Sequence, residues 1–307
     1  MRLKKILITW IVSLVGTGCF QALAKPFAEG PYLGQSLPGS TAQVFAPGLI
    51  CRAGYRQWES NGTFSADGKV FCYKQRRKVY ITENTDQGWT TPKHIKSIPA
   101  NNWSPYLSPD ANTIYFSLAY LNPSTRFNRF NLFRCNRASS GWSQSQELGS
   151  PLSSSGAEWG FSIAADNSFY FSSTRRGGRG GDDIWYAPFV DPAWSQALHL
   201  PALATGYNDA GPGIAPDESF MVFNSIKPGG LGGADLYLSL RQADGTWSTP
   251  KNLGSWVNSI YHDFCVHITT DKKYLFFTRR TGGNPSRDAA DIYWVELKEY
   301  LPKPYAH

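Results

Sequence analysis

Five short turns recur along the chain, and they restrict its fold more than any other feature. Ser65-Ala66-Asp67-Gly68, Ser108-Pro109-Asp110-Ala111, Ala164-Ala165-Asp166-Asn167, Ala215-Pro216-Asp217-Glu218 and Thr269-Thr270-Asp271-Lys272 place their aspartates 43, 56, 51 and 54 residues apart. Asp bonds nearby backbone in such turns, Pro presets φ, and Gly or Asn tolerates the left-handed fourth position. Only Gly68 and Asn167 suit that position, so Ala111, Glu218 and Lys272 imply strain or another turn type.

Each turn is followed by an aromatic or β-branched run, such as Val70-Phe71-Cys72-Tyr73 or Phe169-Tyr170-Phe171-Ser172. A further strand comes next, Asp183-Ile184-Trp185-Tyr186 and Asp291-Ile292-Tyr293-Trp294 among them. A fourth is expected to start at Trp89, Trp142, Trp194 and Trp247. Four antiparallel strands repeated at a loose period describe the blades of a β-propeller. The fifth repeat lacks a fourth strand, whereas Ala42-Gln43-Val44-Phe45-Ala46-Pro47 is an outer strand without a repeat of its own. The expected fold is therefore all-β: five four-stranded blades, with the segment around residues 40–50 completing the last. Closure removes the exposed sheet edges that invite aggregation. A six-bladed ring using residues 25–58 is the alternative, weakened by the lack of a further Asp turn.

Ser108-Pro109-Asp110 and Ala215-Pro216-Asp217 resemble the TolB-type propeller repeat. So do Arg176-Gly177-Gly178 leading to Asp183-Ile184-Trp185, and Pro228-Gly229-Gly230 leading to Asp235-Leu236-Tyr237. The resemblance spans about residues 40–297 and implies a propeller. It extends to envelope binding modules and to polysaccharide-degrading enzymes of the same shape, but not to TolB itself, whose N-terminal α/β domain has no counterpart here.

The N-terminus reads as an export signal over residues 1–24. Arg2, Lys4 and Lys5 precede an apolar stretch from Ile6 to Val15, and Ala22-Leu23-Ala24 fits a cleavage site. The apolar run is short for a membrane span, which takes about 20 residues. Lipid attachment at Cys19 is the rival reading, disfavoured because Gly16-Thr17-Gly18 approaches that cysteine poorly. Removing the leader takes the formal net charge from +7 to +4, which gives no argument for nucleic-acid binding. The expectation is a single propeller domain over residues 25–307, periplasmic or extracellular, without a transmembrane span and monomeric. Cys51, Cys72, Cys135 and Cys265 allow three full disulfide pairings, and the sequence selects none.

Counting back from each turn aspartate sorts the innermost strands by side. Three residues before it lie Phe64, Leu107, Ile163, Ile214 and Ile268; seven before lie Ser60, Trp103, Trp159, Ala210 and Phe264. Strict alternation puts both sets between blades. The sets at four (Thr63, Tyr106, Ser162, Gly213, His267) and six (Asn61, Ser104, Gly160, Gly211, Cys265) are small or polar and are expected on the channel. Eight before lie Glu59, Asn102, Glu158, Asp209 and Asp263, expected to ring one channel mouth.

Around that mouth a basic collar is expected, with Lys74, Arg76, Arg77, Arg126, Arg129, Arg175, Arg176, Arg179, Lys227, Arg279, Arg280 and Arg287 on the loops between second and third strands, and His262 nearby. These residues suggest a non-catalytic module that binds a glycan or envelope partner. The alternatives are a glycoside hydrolase using two carboxylates among Glu59, Glu158, Asp209 and Asp263, a lyase using His262, Tyr261 or Tyr207, or an assembly partner. No cofactor is expected, although a divalent cation such as calcium suits an acidic ring. Carboxylates stapled structurally by neighbouring Arg side chains would look the same in sequence.

Overall fold

The computed structural model describes residues 27–52, 58–121, 128–281 and 289–303. The leader expected over residues 1–24, with Cys19, lies outside them, as do Arg126 and Arg287. Among the described residues no helix is long and apolar enough to cross a membrane.

The five repeats form five antiparallel sheets. Their innermost strands are Glu59–Phe64, Asn102–Leu107, Glu158–Ile163, Asp209–Ile214 and His262–Ile268. They pack side by side in that order, and the fifth returns to the first. Second and third strands follow outward, Val70–Gln75 and Lys78–Thr85 in the first blade, Tyr274–Thr281 and Ala289–Glu296 in the fifth. The outermost strand of the fifth blade is Gln43–Val44, with Gln43 opposite Trp294 and Val44 opposite Tyr293. The ring is thus a five-bladed propeller closed by its N-terminal strand.

The fourth strands lie downstream of where the tryptophans suggest. Lys93–His94, Gln146–Glu147, Leu198–His199 and Lys251–Asn252 are the outer strands. Trp89, Trp142 and Trp194 instead pair back in short hairpin extensions opposite Asn84, Arg137 and Phe189, and Trp247 bridges to Arg241. Their indoles pack into or against the apolar clusters of the ring, and Trp89 is fully buried.

All five Asp turns share one geometry. The aspartate accepts the backbone N–H two residues on, from Lys69, Asn112, Ser168, Ser219 and Lys273. The fourth position is left-handed throughout, at φ of 68° for Gly68, 57° for Ala111, 69° for Asn167, 58° for Glu218 and 60° for Lys272. The non-glycine residues therefore accept the strain, of order 1 kcal/mol each, rather than change turn type.

Apolar packing divides into five clusters among the described residues, one at each junction between blades. At the junction of the fifth and first blades, Phe45, Phe64, Phe71, Phe276 and Trp294 are buried together. The second and third blades share Phe161, Phe169 and Phe171 with Leu132. Polar bonds near the axis supplement this packing. Each uses a side chain four residues before a turn aspartate to accept a backbone N–H three residues before the next blade's aspartate. Thr63 takes the N–H of Leu107, Ser162 that of Ile214, and His267 that of Phe64, while Tyr106 is buried in the cluster that holds Ile163. Gly213 has no side chain to offer at the remaining junction.

The cysteines at 51, 72, 135 and 265 are all free, the first three buried.

Candidate functional site

Every innermost strand contains a β-bulge, and it reverses the expected sides of the residues seven and eight before the aspartate, while those six before it, with Thr63, Tyr106 and His267, border the axis as expected. Pairing with the second strand slips between Ser60 and Thr63, Trp103 and Tyr106, Trp159 and Phe161, Ala210 and Gly213, and Phe264 and His267. The bulged residue is the one six before the turn aspartate. Asn61, Ser104, Gly160, Gly211 and Cys265 all have left-handed φ, between 48° and 59°. One extra residue in a strand moves every side chain beyond it to the other face.

The consequence corrects the proposed acidic ring. Glu59, Asn102, Glu158, Asp209 and Asp263 do not face the channel mouth; each is 1% exposed or less. They secure the chain entering their own blade. Glu158 accepts the N–H of Ser154 at 3.0 Å and the hydroxyl of Ser173 at 2.9 Å. Asp209 accepts the N–H and hydroxyl of Thr205 at 2.6 and 2.8 Å. Asp263 accepts both from Ser259, at 2.8 and 2.9 Å. Asn102 donates to the carbonyls of Pro99 and Arg77, and Glu59 accepts from Gln75 at 2.8 Å. Burial raises the carboxyl pKa of Glu59, Asp209 and Asp263, with Arg279 opposing the rise at Asp263.

Much of the basic collar is also engaged within the protein. Arg279 donates to Asp263 at 2.7 Å and to the carbonyl of Val257 at 2.5 Å. Arg175 donates to the carbonyls of Leu152 and Pro151 at 2.7 and 3.1 Å, lies 3.5 Å from Glu158, and stacks over Phe171. Arg176 is exposed and is not among the residues that line the axis opening. Among the described residues no group of three or more His, Cys, Asp or Glu side chains is placed to hold a metal ion.

In four of the five blades the residue seven before the aspartate takes the vacated position, while Ser60 of the first is buried. Trp103, Trp159, Ala210 and Phe264 line a funnel of about 290 Å³ at the axis. Trp58, Ile226, Asp182, Asn208, Asn224, His262 and Arg280 join them. Of the residues expected at the site, His262 and Arg280 are the two that reach it.

The funnel is mostly apolar and aromatic. Phe130 continues its wall, with ring centroids 6.1 Å from Trp103 and 5.7 Å from Trp159. Asp182 is buried, its Oδ1 accepts Trp159 Nε1–H at 2.8 Å, and desolvation raises its carboxyl pKa. Arg280 lies over the Trp58 ring, 5.9 Å from its centroid. Beneath Trp103 the Lys74 ammonium sits 4.7 Å from the ring centroid and donates to the carbonyl of Asn102. Burial lowers the pKa of Lys74 to about 8.

Glycine loops shape the rim. A Cβ on Gly180 would stand 2.0 Å from the Tyr207 carbonyl oxygen, and one on Gly233 would stand 2.3 Å from the His262 ring. These glycines let one blade's loop lie against the next blade's entry, which brings Asn208 and His262 to the funnel. Below, the axis narrows to a void of about 10 Å³ bordered by Thr63, Tyr106, Phe161 and His267. A second cavity of about 300 Å³ opens at the Asp-turn end, floored by Phe64, Ile163, Ile214 and Ile268.

The missed residues left a trace in the sequence. Two glycines and an asparagine among five equivalent strand positions are the residues that tolerate left-handed φ, and they mark the bulge.

No family model and no curated protein matches the chain. Solved structures do match. A candidate TolB from Agrobacterium tumefaciens aligns with a TM-score of 0.50 and 16% identity, over 78% of each chain. An alpha-L-arabinofuranosidase from Lactobacillus brevis gives 0.51 at 11% identity, over 77% of this chain and 90% of its own. A glycoside hydrolase gives 0.53 at 11% identity, covering 84% and 91%. At these identities what is shared is the fold, a propeller that appears both in TolB-type proteins and in glycoside hydrolases.

Proposed function

We propose that the chain is an exported, non-catalytic module that binds a glycan in the aromatic funnel. The observation that carries this reading is the convergence of Trp58, Trp103, Trp159 and Phe264 on one cavity whose polar groups are few. Sugar rings present flat C–H faces that stack on aromatic rings, and paired hydroxyls suit acceptors such as Asp182 and amides such as Asn208 and Asn224. A largely apolar cavity with a small number of placed polar groups is the usual form of a small-ligand site.

Hydrolysis of a glycosidic bond calls for two carboxyl groups about 5–5.5 Å or 6.5–9.5 Å apart. Asp182 is the one carboxylic acid among the described residues lining the funnel, and the other candidates are turned into the blades. This supports binding over hydrolysis.

Titration calorimetry with neutral and acidic oligosaccharides tests the proposal, with reducing ends followed in parallel. Binding that Trp159→Ala abolishes, with no new reducing ends, is the expected result. Release of reducing ends would establish an enzyme instead, and binding unaffected by Trp159→Ala and Trp103→Ala would place the site elsewhere.

A further inference from the structure

We infer that the funnel receives the end of a glycan chain and not its interior, an inference that rests on the funnel being a glycan site. The wall is contributed by every blade: Trp58 leads into the first, Trp103 and Trp159 belong to the second and third, Asn224 to the fourth and Phe264 to the fifth. A cleft open at two sides admits a polymer lying across it. A cavity walled on all sides admits one only from above.

The floor offers no way through. The void beneath holds about 10 Å³, the space of a single water molecule. The groups around it are held in place. Thr63 and His267 each accept a backbone N–H from the following blade, and Tyr106 is buried against Phe161 and Ile163 of the next blade, so none can swing aside without disturbing a junction of the ring. Gly160 and Gly211 approach so closely that a Cβ on the former would stand 2.9 Å from the Cα of the latter. A chain entering the funnel must therefore stop there, with its terminal unit among the indoles and the rest leaving past the exposed edge of Trp103, 43% accessible.

The number of protein molecules bound per polymer chain separates end from interior recognition. Wild-type protein is mixed with linear arabinan, xylan, cellulose-derived and chitin-derived chains of graded length, and loading is measured by light scattering and sedimentation. The expected result is loading that stays fixed per chain as chains lengthen, with short and long chains competing equally per end. Loading that grows in proportion to length would overturn end recognition and leave glycan binding intact. No binding to any of these chains at any length would remove both readings.

Discussion

The Trp159 indole N–H donates to Asp182 Oδ1 at 2.8 Å, joining the innermost strand of the third blade to the loop that precedes its third strand. A buried carboxylate therefore fixes the orientation of one aromatic wall of the funnel. Asp182→Ala should leave the ring folded and weaken glycan binding about tenfold, equivalent to ~1.4 kcal/mol. Asp182→Asn, which keeps an acceptor for the indole, should lose less. Calorimetry on the two variants, with near-ultraviolet circular dichroism to report on the indole, checks the order.

The acids eight residues before each turn hold structure, so their removal should act on stability. Asp263→Ala leaves Arg279 buried without its carboxylate, and breaking a buried pair from one side costs about 3–5 kcal/mol. Urea denaturation should show the loss. Glu158→Gln should cost about 1–2 kcal/mol through weakened bonds to Ser154 and Ser173, while glycan affinity stays at the wild-type value.

Lys74 should impose a pH dependence at the alkaline end. Its pKa is about 8 in the fold and near 10.5 when unfolded. Between those values the unfolded chain keeps a proton that the native lysine has released, so stability rises with pH across the window. The gain is bounded at about 3 kcal/mol. Denaturation midpoints of wild type and Lys74→Met, compared from pH 7 to 11, should diverge in that sense.

His267 should do the same at the acid end. Burial lowers its pKa to about 3, and its Nε2 accepts the Phe64 N–H, which leaves the proton of the neutral ring on Nδ1. Between pH 3 and 6.5 the unfolded chain binds a proton that the native ring refuses, so stability falls as pH is lowered through this range. His267→Gln should flatten that part of the profile in thermal scans at stepped pH.

Phe45 tests the closure of the ring. It is fully buried, and its ring centroid lies 5.1–5.9 Å from those of Phe64, Phe71, Phe276 and Trp294. Phe45→Ala should cost about 3–5 kcal/mol, as large-to-small core changes do. Hydrogen exchange should show the added opening concentrated in Ala289–Glu296, the strand against which Gln43–Val44 pairs.

The architecture was legible because a propeller repeats its instructions. Asp67, Asp110, Asp166, Asp217 and Asp271 announce the same turn five times, and the unowned outer strand around Val44 shows where the ring closes. The site is hidden from the sequence at a single step. Alternation is a local rule, valid until a residue is inserted, and the inserted one announces itself only through backbone angle. Gly160, Gly211 and Asn61 hint at it, whereas Ser104 and Cys265 do not. Alternation alone accordingly puts Trp103 and Trp159 in the packing between blades, and Glu158 and Asp263 at the mouth. Asp182 and Asn208 are illegible for another reason: they sit on loops, where no periodicity ties a residue to the axis.

The bulge at the midpoint of each innermost strand divides that strand into two jobs. The half nearer the Asp turn binds blade to blade through Thr63, Ser162 and His267, and the other half presents Trp103, Trp159 and Phe264 to whatever enters. Exchanging the indoles for other side chains would therefore retarget the protein while leaving the seams that keep its five sheets in a circle untouched.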